Sequence, residues 1–130
     1  MKIAIPQINY HIGDISKNRD LIIAAIQKAK SKKADLVVFP EHAICGAYPQ
    51  DLFEKEYFVN ECRISIEKIA GQCTNIAALV GCPNLDLEDG VLYNAMFFMY
   101  DREVRGGVNK TVLSDYDIFD ESRYFIADEV

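Results

Sequence analysis

Short apolar runs and stretches with helical spacing alternate along this chain. Continuous apolar runs predict five strands, over residues 2–8, 36–39, 75–82, 92–100 and 104–108. Apolar side chains at helical spacing predict two helices, over residues 17–33 and about 51–70. Strands that alternate with helices favour right-handed crossovers and a largely parallel sheet that turns antiparallel later in the chain. The pattern therefore predicts an α/β fold with the order β-α-β-α-β-β-β.

The residues at the ends of these elements refine the prediction. Ser16 is a good N-cap for the first helix. Pro6 marks a bulge or the end of the first strand, and Pro83 ends the third, because proline cannot donate to a sheet ladder. The core-facing positions of the first helix are Leu21, Ile22, Ala25, Ile26 and Ala29, and those of the second are Phe58, Cys62, Ile66 and Ile69. Nothing closes the sheet after the last strand, so we expect the natural domain to continue past residue 130.

Composition and charge narrow the classes of function. The 130 residues fit one modest domain or part of a larger one, and half of them are hydrophobic. A net charge of −6 argues against nucleic acid or an anionic membrane as the main partner. No apolar segment approaches the roughly 20 residues that span a bilayer. The four cysteines lack the spacing of a zinc site, so we expect reduced thiols in a cytoplasmic protein.

Glu41 is the first candidate for chemistry, because it follows directly after the buried strand 36–39 and Pro40. The carboxyl ends of strands are where α/β folds place their sites. Pro40 biases the residue before it toward extended geometry, which defines the direction of Glu41. Taken alone, the same pattern also fits an acidic residue that begins a surface loop, and both interpretations remain open at this point.

Lys110 and Glu121 are the second and third candidates. Lys110 ends the last predicted strand, where a lysine removed from water provides a concentrated positive charge. Read in isolation, an exposed lysine on an edge strand is the more common case. Glu121 lies in an acidic loop, where a solvated carboxylate is the alternative. The neighbouring Tyr116 and Phe119 could equally be loop aromatics that pack on the core.

The segment that begins at Lys110 reads K-x-x-L-x-x-Y-x-I-F-D-E-x-R-Y-F, with ten of sixteen positions specified. Together with F-P-E at residues 39–41, it resembles the N-terminal, glutamine-hydrolysing domain of glutamine-dependent NAD synthetases. Those domains form a branch of the nitrilase, or carbon–nitrogen hydrolase, superfamily. F-P-E is shared across the superfamily, whereas the longer pattern is specific to this branch. The resemblance covers essentially the whole chain.

This resemblance implies that residues 1–130 are the N-terminal portion of a single carbon–nitrogen hydrolase domain, a partial nitrilase-type α-β-β-α sandwich. In the family, a cysteine thiolate attacks the side-chain amide of glutamine, forms a thioester and releases ammonia. The resemblance assigns the general base to Glu41, the oxyanion donor to Lys110 and a positioning carboxylate to Glu121. It also places Tyr116 and Phe119 in the lining of the glutamine pocket.

Three departures from the family pattern limit these expectations. The family nucleophile lies a few dozen residues beyond the lysine, and none of the four cysteines present has its context. Tyr48 stands one position later than in the usual G-Y-P-P, and Ser114-Asp115 replaces the common Pro-Asn. The synthetase domain, to which ATP, magnesium and deamido-NAD belong, is absent, and the amidase chemistry itself implies no cofactor and no metal.

The function predicted from the sequence is therefore glutamine amide hydrolysis that supplies ammonia for NAD synthesis, in a chain that is inactive by itself. One alternative is another nitrilase-superfamily amidase that acts on a different small amide. The other is a non-catalytic scaffold domain. A homo-oligomer is expected in each case, since family members pack their subunits sheet to sheet.

Overall fold

The computed structural model describes residues 1–129, which form one five-stranded sheet and two α-helices. The strands are β1 (Ile3–Ala4), β2 (Leu36–Val38), β3 (Ala77–Leu85), β4 (Leu92–Tyr100) and β5 (Glu103–Asn109). The helices are α1 (Ile15–Ser31) and α2 (Glu56–Ala70), with short 3-10 turns at Gln50–Glu54 and Glu121–Arg123. The predicted order β-α-β-α-β-β-β is confirmed. Within residues 1–129, neither helix is both long and apolar enough to cross a bilayer.

The sheet runs in the order β1-β2-β3-β4-β5, so each strand lies beside its neighbours in the sequence. The pairs β1–β2 and β2–β3 are parallel, because a loop and a helix separate their strands, whereas β3–β4 and β4–β5 are antiparallel hairpins. The predicted change from parallel to antiparallel pairing is confirmed.

Both helices pack on the same face of the sheet. The buried positions of α1 include Ile22, Ile26 and Ala29, and α2 buries all four of the side chains that were expected to face inward. They meet Val37, Ala78 and Val80, which alternate along β2 and β3 toward the helices. This layer forms the hydrophobic core of the described residues.

The opposite face of the sheet carries no helix within the described residues. Its side chains come from alternate strand positions and include Leu79, Met96, Phe98, Tyr100 and Val108. Phe98 is 38% exposed and Val108 is 69% exposed, although both are large apolar residues on a regular sheet. We call this surface the bare face. Such a contiguous apolar surface is typical of an interaction site.

Three details of the sequence prediction are wrong. The first strand is not a buried strand over residues 2–8: β1 spans two residues, and Ile3 is 48% and Ile5 67% exposed. The strand ends at Ala4, before Pro6, which agrees with the expectation that Pro6 marks the end of the strand rather than a bulge. The N-cap of α1 is Asp14, not Ser16, because the Asp14 carboxylate accepts a hydrogen bond from the backbone N–H of Lys17 at 3.2 Å.

The third error concerns Pro83, which does not end β3. Pro83 pairs with Asn94 inside the β3–β4 ladder. The carbonyl of Asn94 points the other way, toward β5, where it accepts from the backbone N–H of Lys110 at 2.7 Å. The pair is therefore a non-hydrogen-bonded one, and the missing N–H of proline removes no bond from the ladder.

A tight turn connects β2 to the rest of the chain and packs against β3. Its backbone closes through hydrogen bonds from Cys45 and Gly46 to the carbonyl of His42. Gly81 of β3 makes this packing possible: a Cβ placed there would lie 2.4 Å from the carbonyl oxygen of Pro40 and 2.9 Å from Cα of Glu41. Because Gly81 has no side chain, the backbone at Glu41 can pack directly against β3.

Candidate active site

Three charged side chains from distant parts of the sequence meet at one edge of the sheet. Glu41 follows β2, Lys110 follows β5, and Glu121 begins the last 3-10 turn. The Lys110 ammonium nitrogen lies 2.8 Å from Oε1 of Glu41 and 3.0 Å from Oε2 of Glu121. The structure thus brings together all three residues that the sequence singled out for catalysis. A lone ammonium bridges two carboxylates.

Glu121 is the buried member of this cluster, with a residue exposure of only 3%. Its carboxylate accepts hydrogen bonds from Lys110, from the backbone N–H of Ser114 at 2.6 Å and from the side-chain amide of Asn94 at 3.2 Å. The backbone N–H of Glu121 in turn donates to the carbonyl of Ser114. A buried carboxylate needs such partners, so the solvated-acid alternative for Glu121 does not describe this structure.

Asn94 joins the two carboxylates and was missed by the sequence reasoning. Its side-chain amide donates to Oε1 of Glu41 at 2.5 Å as well as to Glu121, and the residue is 3% exposed. Asn94 lies in β4, within an otherwise apolar strand. A single amide in such a run was the available signal, because a buried polar side chain requires hydrogen-bonding partners.

Hydrogen bonding within the cluster favours its ionised forms. Burial raises the pKa of Glu41, but the hydrogen bonds from Lys110 and Asn94 and the charge of Lys110 outweigh it and hold that pKa below 4.5. Burial lowers the pKa of Lys110, but hydrogen bonds to Glu41 and Glu121 hold it above 10.5. Glu41 is therefore an ionised carboxylate at neutral pH and can accept a proton. Lys110 stays a cation that can donate hydrogen bonds.

His42 lies under the charged cluster and was also missed. It is 3% exposed, and its ring packs against the aromatic rings of Tyr48, Phe53 and Phe125 at centroid distances of 5.6 to 5.8 Å. Its Nε2 has no hydrogen-bond partner among the described residues. Burial lowers the pKa of His42, against the opposing charges of Glu41 and Glu121. A neutral imidazole thus supports the turn that carries Glu41.

Tyr116 and Phe119, predicted to line the substrate pocket, lie beside the cluster rather than in it. Their rings meet edge to face at a centroid distance of 5.6 Å, and the ring of Phe119 also lies 6.1 Å from that of Tyr48. Tyr116 is 67% exposed and Phe119 is 37% exposed. Burial raises the pKa of Tyr48 to about 12, and its hydroxyl has no partner among the described residues. Tyr48 therefore connects this aromatic pair to His42 and the cluster.

The four cysteines are free and buried, as expected. Cys45 is near Glu41 in the sequence, but its Sγ turns toward the core, where it lies 3.9 Å from Nδ1 of His42. Within residues 1–129, no hydrogen bond joins a thiol to Glu41 or Lys110. The structure therefore holds a carboxylate and an ammonium in contact, and none of the four cysteines of the described residues makes a hydrogen bond to either of them.

The ligand atoms of Glu41, His42 and Glu121 all lie within 4.8 Å of one another, a spacing that a metal ion would accept. Lys110 already supplies the positive charge between the two carboxylates, at 2.8 and 3.0 Å. A divalent cation in the same place would be repelled by the ammonium at close range. The donor set therefore suits an internal lysine better than a metal.

This chain belongs to the carbon–nitrogen hydrolase family, whose pattern it matches over residues 2–126. Within that family, it is similar to glutamine-dependent NAD(+) synthetases. It is 36% identical over 129 residues to the one from Xylella fastidiosa strain Temecula1, and 32% identical over 127 residues to the one from Aquifex aeolicus. The chain spans only 23% and 22% of the length of these two relatives.

Solved structures agree with this assignment. The glutamine-dependent NAD+ synthetase from Acinetobacter baumannii superposes with a TM-score of 0.86 at 33% identity, over 98% of this chain and 24% of its own. The one from Cytophaga hutchinsonii gives 0.91 at 27% identity, over 96% of this chain and 21% of its own. An amidase from Nesterenkonia sp. shares the fold, with a TM-score of 0.83 at 24% identity over 49% of its chain. The predicted nitrilase-type α/β fold is confirmed.

Proposed function

We propose that this chain is the front part of a glutamine amidase that supplies ammonia for NAD synthesis. The observation that carries the proposal is the ammonium of Lys110 held between the carboxylates of Glu41 and Glu121. The similarity to glutamine-dependent NAD(+) synthetases over 98% of the chain supports the choice of glutamine. Because the chain spans less than a quarter of those relatives, the substrate and the later steps belong to the proposal.

Glu41 and Lys110 have different roles in the proposed reaction. Glu41 takes the proton from an attacking thiol and later gives it to the departing ammonia, which its ionised carboxylate permits. Lys110 donates hydrogen bonds to the oxygen that becomes negative in the tetrahedral intermediate. Both line a depression of about 230 Å³ that also includes Asn94 and Met96. A small amide can reach the base and the cation there at the same time.

Glu121 and Asn94 act as positioning residues in this proposal. Their hydrogen bonds hold Lys110 and Glu41 in place, so the cation does not need to reorganise when the oxyanion forms. Tyr116 and Phe119 form one wall of the approach to the site, next to Tyr48. We assign them contact with the substrate chain rather than with the reacting amide.

The first test is to determine the coding sequence downstream of the Val130 codon. The proposal expects a cysteine codon within a few dozen codons and a Gly-rich pyrophosphate-binding loop further on. The encoded protein should then release ammonia from glutamine, and Glu41→Gln and Lys110→Met should each abolish that release. Ammonia production by the 130-residue chain alone, lost in Glu41→Ala, would contradict the assignment of the nucleophile to a residue outside it.

A substrate panel separates this proposal from a general small-amide amidase. The glutamine amidase requires a clear preference for glutamine over simple aliphatic amides, whereas the alternative predicts the reverse. Arg63→Gln, at an exposed position of α2, is a suitable control because, among residues 1–129, its side chain hydrogen-bonds only to Asn60 of the same helix. It should leave the preference unchanged.

Two further properties are part of the proposal. Four free buried thiols are typical of a reducing compartment, which supports a cytoplasmic location. The bare face of the sheet, with Phe98 and Val108 exposed, supports self-association or contact with a further layer of the same protein. ATP and magnesium enter the proposal only with the synthetase part of the longer relatives.

A further inference from the structure

Asn18 is a polar residue on the buried side of α1, with no measurable exposure to solvent. Its carboxamide oxygen accepts a hydrogen bond from the backbone N–H of His11 at 2.8 Å, and its amide nitrogen donates to the carbonyl of His11 at 2.7 Å. The same nitrogen donates to the carbonyl of Ile44 at 3.2 Å. One side chain therefore bonds to two separate stretches of backbone, the loop before α1 and the turn that follows Glu41.

The position of Asn18 in α1 is one that an apolar residue would be expected to occupy. Asn18, Ile22 and Ile26 follow one another at four-residue spacing, and all three have an exposure of 0%. Burial of a carboxamide costs free energy unless its polar atoms find partners. Here the oxygen and both amide hydrogens have them. The contribution of Asn18 therefore lies in its hydrogen bonds rather than in packing.

The loop that Asn18 holds, which we call the entry loop and which spans residues 9–13, lies directly on the turn after Glu41. The backbone N–H of Gly13 donates to the carbonyl of Cys45 at 2.9 Å. Gly46 has a φ of +74°, and a Cβ added there would lie 2.8 Å from Cα of Ile12. A side chain at Gly46 would therefore push the entry loop and the turn apart.

Ile44 shows how the turn is fixed between two elements. Its backbone N–H donates to the carbonyl of Gly81 in β3 at 3.2 Å, and its carbonyl accepts from Asn18 in α1. Both backbone polar groups of Ile44 are thus bonded, on one side to the sheet and on the other to a helix. Ile44 lies three positions after Glu41 in the same tight turn, so these bonds limit how far the backbone at Glu41 can move.

We propose that Asn18 is a positioning residue for Glu41: through its hydrogen bonds to His11 and Ile44 it fixes the turn from which Glu41 reaches Lys110. Among residues 1–129, its side chain makes no hydrogen bond to the charged cluster itself, so it acts through the backbone. Such control matters because a displacement of about 1 Å in a reacting group can cost roughly 100-fold in rate.

This inference rests on the proposed role of Glu41 as the general base. Its test measures where the Glu41 carboxylate lies in the 130-residue chain, and not whether ammonia is released. The positioning role and the proposed function can therefore fail separately. A merely structural Asn18 would stabilise α1 and the entry loop, and its loss would leave the contact between Glu41 and Lys110 unchanged.

The variant Asn18→Leu tests the proposal, because leucine is close to asparagine in size but makes none of the three hydrogen bonds. Nuclear magnetic resonance at neutral pH follows the carboxyl carbon of Glu41 and the side-chain carbons of Lys110. In Asn18→Leu, the Glu41 signal should move toward its position in Lys110→Met, and the Lys110 signals toward theirs in Glu41→Gln. In addition, Lys110→Met should lower the urea midpoint less in the Asn18→Leu background than in the wild type, because the contact is already weakened.

Ile26→Val is the matched control, since Ile26 lies on the same face of α1 and is equally buried, but has no polar side-chain group. It should lower stability, leave the signals of Glu41 and Lys110 in place, and add to Lys110→Met without coupling. Wild-type signals and an additive urea midpoint in folded Asn18→Leu would overturn the proposal.

Hydrogen exchange in the wild-type chain decides the question if Asn18→Leu does not fold. The amide of His11 reports on the bond to Asn18, and the amide of Gly46, which donates to the carbonyl of His42, reports on the turn. At rising urea below the unfolding transition, both amides should exchange through one opening with the same dependence on urea. An opening that exposes the His11 amide while Gly46 keeps its full protection would show that the turn does not need Asn18, and would overturn the proposal.

Discussion

The ammonium of Lys110 lies 2.8 Å from the carboxylate of Glu41, although 69 positions separate the two residues in the sequence. Glu41 follows β2 and Lys110 follows β5, so the contact spans the four strands from β2 to β5. The contact therefore reports on the pairing of these four strands as well as on the site. Its energetics can be measured in the chain without any catalytic activity.

Removing the cation should destabilise the chain. Lys110→Met keeps the length of the side chain but leaves Glu121, which is 3% exposed, without its charged partner. We expect a loss of roughly 2 kcal/mol in the free energy of unfolding, between the values for exposed and fully buried ion pairs. Urea denaturation measures it. Lys17→Met, at an exposed position of α1, should have little effect.

A second substitution tests the origin of that loss. The double variant Lys110→Met with Glu121→Gln removes the unpaired buried charge and should recover part of the lost stability. If it is no more stable than Lys110→Met alone, the destabilisation comes from lost packing rather than from the carboxylate.

The stability of the chain should fall with decreasing pH in two windows. His42 and Glu41 have folded-state pKa values below their ordinary values of 6.5 and 4.5. In both cases the unfolded chain takes up protons at a higher pH than the folded chain, so acid favours unfolding. The contribution of His42 is complete above 6.5 and is lost as the pH falls toward its folded pKa, and that of Glu41 is lost below 4.5.

The variant His42→Gln should reduce the slope of stability against pH in the upper of these two windows. Urea midpoints measured at several pH values between about 4 and 7 reveal the change in slope. His11→Gln is the matched control, because His11 is the other histidine of the chain and is exposed. A variant at His42 that keeps the full wild-type slope above pH 5 would contradict the assignment.

Gly81→Ala should disturb the site without touching a charged group. The added Cβ would stand 2.4 Å from the carbonyl oxygen of Pro40 and 2.7 Å from the backbone nitrogen of His42, so the turn has to move. We expect a loss of about 3 kcal/mol in stability, as for other overpacked positions. Gly106→Ala in β5 is the control, because no atom lies within 4 Å of its added Cβ.

Nuclear magnetic resonance distinguishes a moved turn from a merely less stable one. In Gly81→Ala, the side-chain signals of Lys110 and Asn94 should shift toward those of their free forms, since both groups bond to Glu41. In Gly106→Ala they should not shift. Unchanged signals in Gly81→Ala would show that the backbone of β3, rather than that of the turn, moves to accommodate the added Cβ.

The bare face should make the isolated chain associate with itself. Phe98 is a large apolar side chain of that face and is 38% exposed. Phe98→Lys places a charge there, and we expect it to lower the concentration-dependent sedimentation coefficient of the chain. Leu87→Lys, at a position 81% exposed in the turn between β3 and β4, is the control and should leave association unchanged.

The sequence was sufficient to predict the element order and the three charged residues of the cluster. The resemblance of F-P-E at residues 39–41 and of the segment that begins at Lys110 to a known family identified Glu41, Lys110 and Glu121, whereas the residues taken alone left each of them open. Asn94 and His42 are different, because their importance lies in contacts made across the fold. The amide of Asn94 reaches a carboxylate 53 positions away. No local pattern contains that information.

The errors at the element ends have the same cause. Asp14 and Ser16 are both acceptable N-caps by residue type, and only the backbone geometry decides between them. Pro83 looked like a strand breaker because the sequence does not reveal on which side its missing N–H would point. Because Pro83 forms a non-hydrogen-bonded pair with Asn94, its missing N–H removes no hydrogen bond from the sheet. The register of a sheet must be known before a proline in it can be judged.

Counted as charges, the cluster of Glu41, Lys110 and Glu121 holds two anions and one cation, and so carries one negative charge in excess. An uncharged amide can approach such a centre without electrostatic opposition, but a carboxylate cannot. Hydrolysis of the proposed substrate converts the first into the second at the same place. The excess negative charge therefore does not oppose binding of the amide, but it repels the carboxylate product and so favours its release.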